Sequence, residues 1–353
     1  MLCVMLLMPT MVSANDFKMK DIQHPDFNQS HFPFISSEKY PQSAANINAF
    51  MQYDFFEKIF KEKEFLNKSL SPFRMTDDYR RVHSIYSIEM TEQTNYLEVE
   101  ISGDSCGAYC ERFNNTYVFD IYSGQLITLI DLLSLDGIKQ LKEEVLAKNR
   151  KRIEPYLENP PVDDSPEFYD GVYYLYKYCY DELEEFHSSV DEDTSFSLKD
   201  EAITIIHGRC SNHAARAIDE VGQLVNVFTF KELQPYFSAE GKQYLSDQHY
   251  QLPSIKTPYK VLHGKIAHKY PITILKPKHG SWVYWYDKYR SPLELRESTD
   301  KATGELLFKE THFDDDASEW IDTALWRVKK ANDAFSGTFT RLSDGKKMSV
   351  VFK

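Results

Sequence analysis

After Pro258 the chain becomes a run of short segments whose side chains alternate with a period of two. They are Val261–Ile266, Ile272–Leu275, Trp282–Tyr286, Leu293–Leu295, Glu305–Lys309, Ala324–Val328, Gly337–Arg341 and Met348–Phe352. Turn residues separate them at Lys278-His279-Gly280, Asp287–Ser291, Thr303-Gly304 and Ser343-Asp344-Gly345. Eight such strands in succession point to an all-β meander, either a small barrel or a sandwich. The preceding stretch Gln251–Pro258 holds two prolines and no periodicity, and reads as a linker. The expected division is therefore an α+β domain over 15–250, a linker over 251–258 and an all-β domain over 259–353.

The first part reads differently. Ala44, Ile47, Met51, Phe55 and Ile59 recur at steps of three and four, which predicts an amphipathic helix over 43–61 starting near Pro41 and Ser43. The period drops to two at Val82–Glu89 and Tyr96–Ser102. There Leu97, Val99 and Ile101 alternate with Tyr96, Glu98 and Glu100, so one core face and one wetter face are expected. Tyr117–Tyr122 is a further strand ending in the turn Tyr122-Ser123-Gly124, and Ser134 or Asp136 caps a following helix. Tyr173, Tyr176 and Tyr180 share a helical face that reads as packing. Phe196–Leu198, Ala202–His207 and Leu224–Phe230 are strands, and Lys231–Phe237 a short helix. A length of 353 residues fits two domains, and 23 Tyr with 23 Phe favour half-buried strands. The predicted class is α+β, a mostly antiparallel sheet packed by helices and followed by the β meander.

Residues 1–14, MLCVMLLMPTMVSA, read as the apolar core and cleavage end of a secretion signal, with Val12-Ser13-Ala14 as the small-x-small site. The segment is too short to span a bilayer as a helix, and no other segment is long and apolar enough. A periplasmic or otherwise exported protein is expected. Without Cys3, four cysteines remain, and an even number in an exported chain reads as two disulfides. We favour Cys106–Cys110 across a turn and Cys179–Cys210. The net charge of −13, from 54 acidic against 41 basic residues, argues against nucleic acid or an anionic membrane surface as partner.

Residues 17–244 resemble an extracytoplasmic α+β domain found in lysozyme-sensing anti-sigma factors and in the non-catalytic part of certain peptidoglycan deacetylases. The matching positions are Tyr40-Pro41 with Ile47-Asn48, and Tyr117-Val118-Phe119-Asp120 followed by Ser123-Gly124. Thr128-Leu129, Asp131-Leu132-Leu133, Phe196 with Leu198, and Ala202 to Ile206 complete them. Where that family tends to carry Gly-Gly-Ala-His, this chain has Cys106-Gly107-Ala108-Tyr109-Cys110, and Arg209 to Glu220 also departs from the pattern. Residues 259–353 resemble small β domains of bacterial envelope proteins through Gly264, Pro271-Ile272, Tyr284, Tyr286 and Pro292-Leu293. The resemblance implies an envelope compartment and a binding role, and no catalytic domain of the deacetylase kind is found.

Four constellations are candidates for chemistry. His207, Cys210 and His213 with Asp219 offer soft ligands for zinc, although an oxidising compartment commits Cys210 to a disulfide. Ser211, His213 and Asp219 lack a nucleophile elbow. Glu98 with Glu100, or Glu184 with Glu185, are carboxylate pairs of the kind glycosidases use, and read more simply as solvated faces. Acidic stretches at Asp181, Glu182, Glu184, Glu185, Asp191, Glu192 and Asp193, and at Asp314, Asp315 and Asp316, suit a cationic cell-wall-active protein. The aromatic strand face Trp282, Tyr284 and Tyr286 offers stacking for peptidoglycan glycan, the alternative partner, although alternating Trp and Tyr on a strand reads more simply as barrel core or a half-exposed face. The expectation is a non-enzymatic binding, inhibitory or immunity protein without a metal or cofactor.

Overall fold

The computed structural model describes residues 16–24, 27–61, 64, 82–106, 110–158, 171–314, 318–332 and 334–353. The expected leader, Asp315 and Asp316 lie outside the described residues, as do the side chains of Cys106 and Asp314. The first described elements are the strands of the hairpin β1 (Phe17–His24) and β2 (Phe27–Ser37). Helix α1 (Pro41–Phe56) follows, with Pro41 in its first turn, where a missing N–H breaks no helical hydrogen bond. An antiparallel sheet of β3 (Val82–Glu92), β4 (Tyr96–Cys106) and β5 (Cys110–Asp120) comes next. Three helices lead out of it: α2 (Leu129–Leu132), α3 (Leu135–Glu158) and α4 (Val172–Phe186). A second antiparallel sheet contains β6 (Ser195–Lys199), β7 (Ala202–Arg209) and β8 (Gln223–Thr229).

Residues 231–236 form turns, Phe237 makes an isolated β-bridge with Leu133, and the helix falls instead at α5 (Ala239–Ser246). Its cap is Ser238, whose hydroxyl accepts from the Gly241 N–H. The eight predicted strands are all present: β9 (Lys260–Ile266), β10 (Tyr270–Lys276), β11 (Trp282–Tyr286), β12 (Leu293–Thr299), β13 (Leu306–Asp314), β14 (Glu319–Ala331), β15 (Ala334–Arg341) and β16 (Lys347–Phe352). They close into an antiparallel barrel, because β16 returns to β9 with Val350 opposite Ile266. Aromatic rings fill it. Trp326 meets Tyr284 at 4.8 Å, Phe339 at 5.5 Å and Phe352 at 6.3 Å between centroids. The protein is thus α+β with a C-terminal eight-stranded barrel.

The motif Phe119-Asp120, Ser123-Gly124, Asp131-Leu132 is the mechanical centre of the first part. Asp120 Oδ2 accepts from the Ser123 N–H at 2.8 Å and its hydroxyl at 2.6 Å, which closes the turn after β5. Gly124 sits at φ 67°, and a Cβ there would stand 2.3 Å from the Ser43 carbonyl oxygen, so only glycine lets this turn lie on α1. Asp131 Oδ2 accepts from the Thr128 N–H at 2.8 Å and Thr128 Oγ1 at 2.9 Å, a capping box for α2. Its Oδ1 accepts from the backbone N–H groups of Lys256 and Thr257. The stretch 251–258 is therefore fastened to the first part.

The sheet β3–β5 is covered on both faces. Leu97, Val99 and Ile101 are buried as expected, with β1, β2 and α1 against them. The opposite face, expected to be wetter, is covered at Tyr96 and Glu98 by the edge strand β6. Tyr96 donates to the Leu198 carbonyl at 3.0 Å, and Glu98 accepts from the Leu198 N–H at 2.6 Å. Side chains of β4 thus satisfy the backbone of an edge that would otherwise stay open. The barrel is joined to this body through its outer wall. Val261, Leu275, Val283 and Trp285 point out of the barrel and enter the same core as Ile47, Phe50 and Met51 of α1. Gln125 grips Val261 through both its carbonyl and its N–H, at 2.7 and 2.9 Å, and His263 Nε2 meets Asn46 Oδ1 at 2.7 Å.

Candidate functional site

Helix α4 presents one buried and one open face. Tyr176, Cys179 and Leu183, spaced for one side of a helix, are buried in a small core with Leu146, Ile153 and Leu224. Cys179 is bonded to Cys210, beyond the end of β7, which closes a loop of 31 residues. The Tyr176 hydroxyl donates to Asp219 Oδ1 at 3.0 Å and accepts from the Val221 N–H at 2.8 Å. Burial pushes that phenol well above its ordinary range. Opposite these anchors stand Asp181, Glu184 and Glu185, all exposed, with Glu182 half-buried. Tyr178, 69% exposed, lies on the same open side. Asp181 is paired with Lys177 one turn back. The result is a rigidly held acidic helix face with a tyrosine ring standing in it.

The remaining acidic positions are elsewhere. Asp191 Oδ1 accepts from the N–H groups of Asp193 and Thr194, each at 3.0 Å, and fixes a tight turn before β6. Asp193 accepts from the Tyr259 hydroxyl and so ties that turn to the start of the barrel, while Glu192 is half-buried beside it. Asp314 is the last residue of β13, opposite Glu319.

The aromatic strand lies mostly inside the barrel. Trp282 and Tyr284 are 9% and 1% exposed. Trp282 Nε1 donates to Glu297 Oε2 at 2.6 Å, and Tyr284 donates to Glu310 Oε2 at 2.5 Å. Only Tyr286, half-buried at the strand end, reaches the surface, where its ring meets Tyr270 at 6.4 Å and Tyr289 at 6.5 Å. Tyr270 and Tyr289 were not singled out from the sequence. The signal was there: two barrel turns each carry a Lys-Tyr pair, Lys269-Tyr270 and Lys288-Tyr289.

Glu98 and Glu100 do share one face of β4, and Lys199 stands between them. Its Nζ is 2.8 Å from Glu100 and 3.5 Å from the buried Glu98, with Glu89 at 3.7 Å. Glu98 also accepts from Ser197 Oγ at 2.8 Å. Burial raises the Glu100 pKa, but hydrogen bonds from Lys199 and Asn114 outweigh it and hold the carboxyl below its ordinary value. Beside this network runs a groove of about 350 Å³ lined by Glu100, Asn114, Thr116, Ser197, Lys199 and Val227. Asp200 also lines it, so two carboxylates face the single Lys199 and the groove is acidic on balance.

Of the presumptive zinc ligands, Cys210 is oxidised and His207 Nε2 faces the Ser189 carbonyl at 2.9 Å. No group of three metal-ligating side chains occurs among the described residues. Ser211 donates to Asp219 Oδ2 at 2.6 Å, and Asp219 also accepts from the Gly222 N–H at 2.9 Å, so this carboxylate organises the β7–β8 connection. Cys110 is disulfide-bonded, and the register of β4 and β5 sets Cys106 opposite it. Among the described residues no helix is long and apolar enough to cross a membrane, and the Cys179–Cys210 bond fits an oxidising, exported setting. No family model matches the chain, and no curated protein is significantly similar to it.

Proposed function

We infer that this chain is an exported, non-catalytic binding protein of the bacterial envelope, and that the open face of α4 receives a cationic cell-wall-active protein such as a lysozyme-like hydrolase. The observation that carries the reading is Tyr178 standing among Asp181, Glu182 and Glu185 on a helix fixed from behind by the Cys179–Cys210 bond. An amphipathic ring amid carboxylates suits lysine and arginine, since the ring attracts a cation and the carboxylates steer its approach. A helix locked before binding loses little freedom on docking. The resemblance of residues 17–244 to the domain of lysozyme-sensing anti-sigma factors supports the same partner class, and an inhibitory or immunity role follows from occupying such an enzyme.

The test is titration of the protein against a panel of purified basic wall hydrolases, with salt varied. Binding in the micromolar range or tighter that weakens about tenfold or more with added salt is expected. The triple variant Asp181→Asn, Glu184→Gln, Glu185→Gln removes only exposed charge and is expected to abolish most of the salt dependence. Affinities no tighter than millimolar across the panel, or a triple variant that binds like the wild type, would sink the proposal.

A further inference from the structure

The groove between the β3–β5 and β6–β8 sheets has two unlike walls. Glu100, Asn114 and Thr116 stand on one, and Thr204, Ile206 and Val227 on the other, where Val227 is 57% exposed. Lys199, which also lines the groove, bears on three carboxylates at once: Glu100 at 2.8 Å, Glu98 at 3.5 Å and Glu89 at 3.7 Å. One ammonium offsets one of these charges and leaves two. Asp200 adds another, because it is exposed in the groove and makes no hydrogen bond or ion pair among the described residues. Neither nearby arginine lines the groove. Arg112 lies one step further out than Asn114 on the same face of β5, opposite Asp104, and Arg152 donates to the Val225 carbonyl at 2.6 Å. A second observation is independent of charge. Thr116 is only 7% exposed, yet its hydroxyl makes no hydrogen bond among the described residues, and the hydroxyl of the half-buried Thr204 across the groove makes none either. Buried hydroxyls ordinarily have partners, and both of these residues line the groove.

We propose that this groove binds a small linear polyamine, with ammonium groups against Asp200, Thr116 and Thr204 and the methylene stem against Ile206 and Val227. A carboxylate only accepts hydrogen bonds and a hydroxyl has lone pairs to offer, so the free groups of the groove suit a ligand that donates. The uncompensated carboxylates around Lys199 draw such a cation in and turn away phosphates and sugar acids. An aliphatic wall with no aromatic ring suits a flexible methylene chain better than the face of a sugar. The volume of about 350 Å³ falls in the range of small-ligand sites. A lysine side chain of another protein shares this chemistry, and the experiment separates the two sources. No residue of α4 lines the groove, so this site does not rest on the protein-partner reading.

The experiment is calorimetric titration of the full chain with spermidine, at about 50 mM salt to limit screening. Pentanediol, calcium and Nα-acetyl-lysine amide are titrated in parallel. Spermidine is expected to bind in the micromolar range at a single site per chain, at least about tenfold tighter than each of the others. Asp200→Asn is expected to weaken it about fivefold, and asparagine tolerates the left-handed backbone at this position, φ 54°. Thr116→Val keeps the shape of the side chain and removes a hydroxyl that has no partner. Its thermal midpoint is therefore expected to stay level or rise while spermidine binding falls about five- to tenfold, a separation that a merely structural threonine would not produce. The proposal is overturned if pentanediol binds as tightly as spermidine, if calcium binds more tightly, if both variants bind like the wild type, or if nothing binds. Equal or tighter binding of the lysine derivative also overturns it, and assigns the groove to a lysine of another protein. The charge-neutral α4 triple variant is expected to bind spermidine normally, which keeps failure here distinct from failure of the protein-partner reading.

Discussion

Replacing Asp131 with alanine removes one carboxylate that serves three backbone N–H groups: those of Thr128, Lys256 and Thr257. Loss of the cap on α2 costs about 1 kcal/mol. Thr257 is fully buried, and its N–H without an acceptor costs about 1–3 kcal/mol. Lys256 is exposed and its N–H can turn to water, so its share is the smallest. The total is about 3 kcal/mol, a large part of a typical stability of about 5–15 kcal/mol. Asparagine divides the effect, because its single oxygen can face either Thr128 or the 256–257 pair but not both. Urea unfolding reads this out with two probes. All four tryptophans, at 282, 285, 320 and 326, belong to the barrel, so their fluorescence follows the barrel, while far-ultraviolet circular dichroism follows the whole chain. Both midpoints are expected to fall together in Asp131→Ala, with Asp131→Asn between it and the wild type. An alanine variant within about 0.5 kcal/mol of the wild type, the size of an ordinary surface substitution, would refute the claim that this carboxylate couples the two parts.

Reduction of the Cys179–Cys210 bond, or Cys179→Ala, is expected to lower stability by roughly 3–4 kcal/mol from the loop it closes, measured by thermal melting with and without reductant. Gly241→Ala places a Cβ 1.9 Å from the Leu132 carbonyl oxygen, so it is expected to cost about 2 kcal/mol or more in urea unfolding, although alanine favours helices. Burial holds the pKa values of His187 and His207 below their ordinary value, and the Ser189 carbonyl only partly offsets this at His207. The folded state therefore resists protonation that the unfolded chain accepts. The stability they contribute is fully present above the unfolded pKa of about 6.5 and falls as the pH drops below it. Unfolding free energies measured between about pH 7 and pH 5 are expected to fall less steeply in His207→Gln than in the wild type.

The strands of the barrel were legible because each is bounded by Gly, Asp, Ser or His turn residues. Closure was not, since a sandwich and a barrel share the same alternation and only the pairing of β16 with β9 separates them. Alternation likewise marks two faces of Trp282–Tyr286 without saying which is inside; of the two readings, barrel core and stacking platform, Trp282 and Tyr284 follow the first. The polar face of β4 read as wet because Glu98 is a carboxylate; nothing local reveals that β6, about a hundred residues on, brings its N–H to it. Helix α5 escaped notice because Gly241 lowers its propensity, a residue required there by the close approach of Leu132. Charge runs were visible, but their roles were not: Asp191 and Asp193 hold a turn and Tyr259, while Asp181, Glu184 and Glu185 face outward.

The outer wall of the barrel, through Val261, Leu275, Val283 and Trp285, supplies a missing side to a core otherwise built from residues 17–126. A chain made from its N-terminus therefore produces most of that core more than a hundred residues before the wall that seals it. Such long-range closure is slow, and the unsealed face of α1 and β4 is open to wrong partners in the interval. Truncation before residue 259 would leave the same apolar face uncovered. The first part is thus not an autonomous module that happens to carry a barrel: it completes its core only when the strands that begin at Lys260 have arrived.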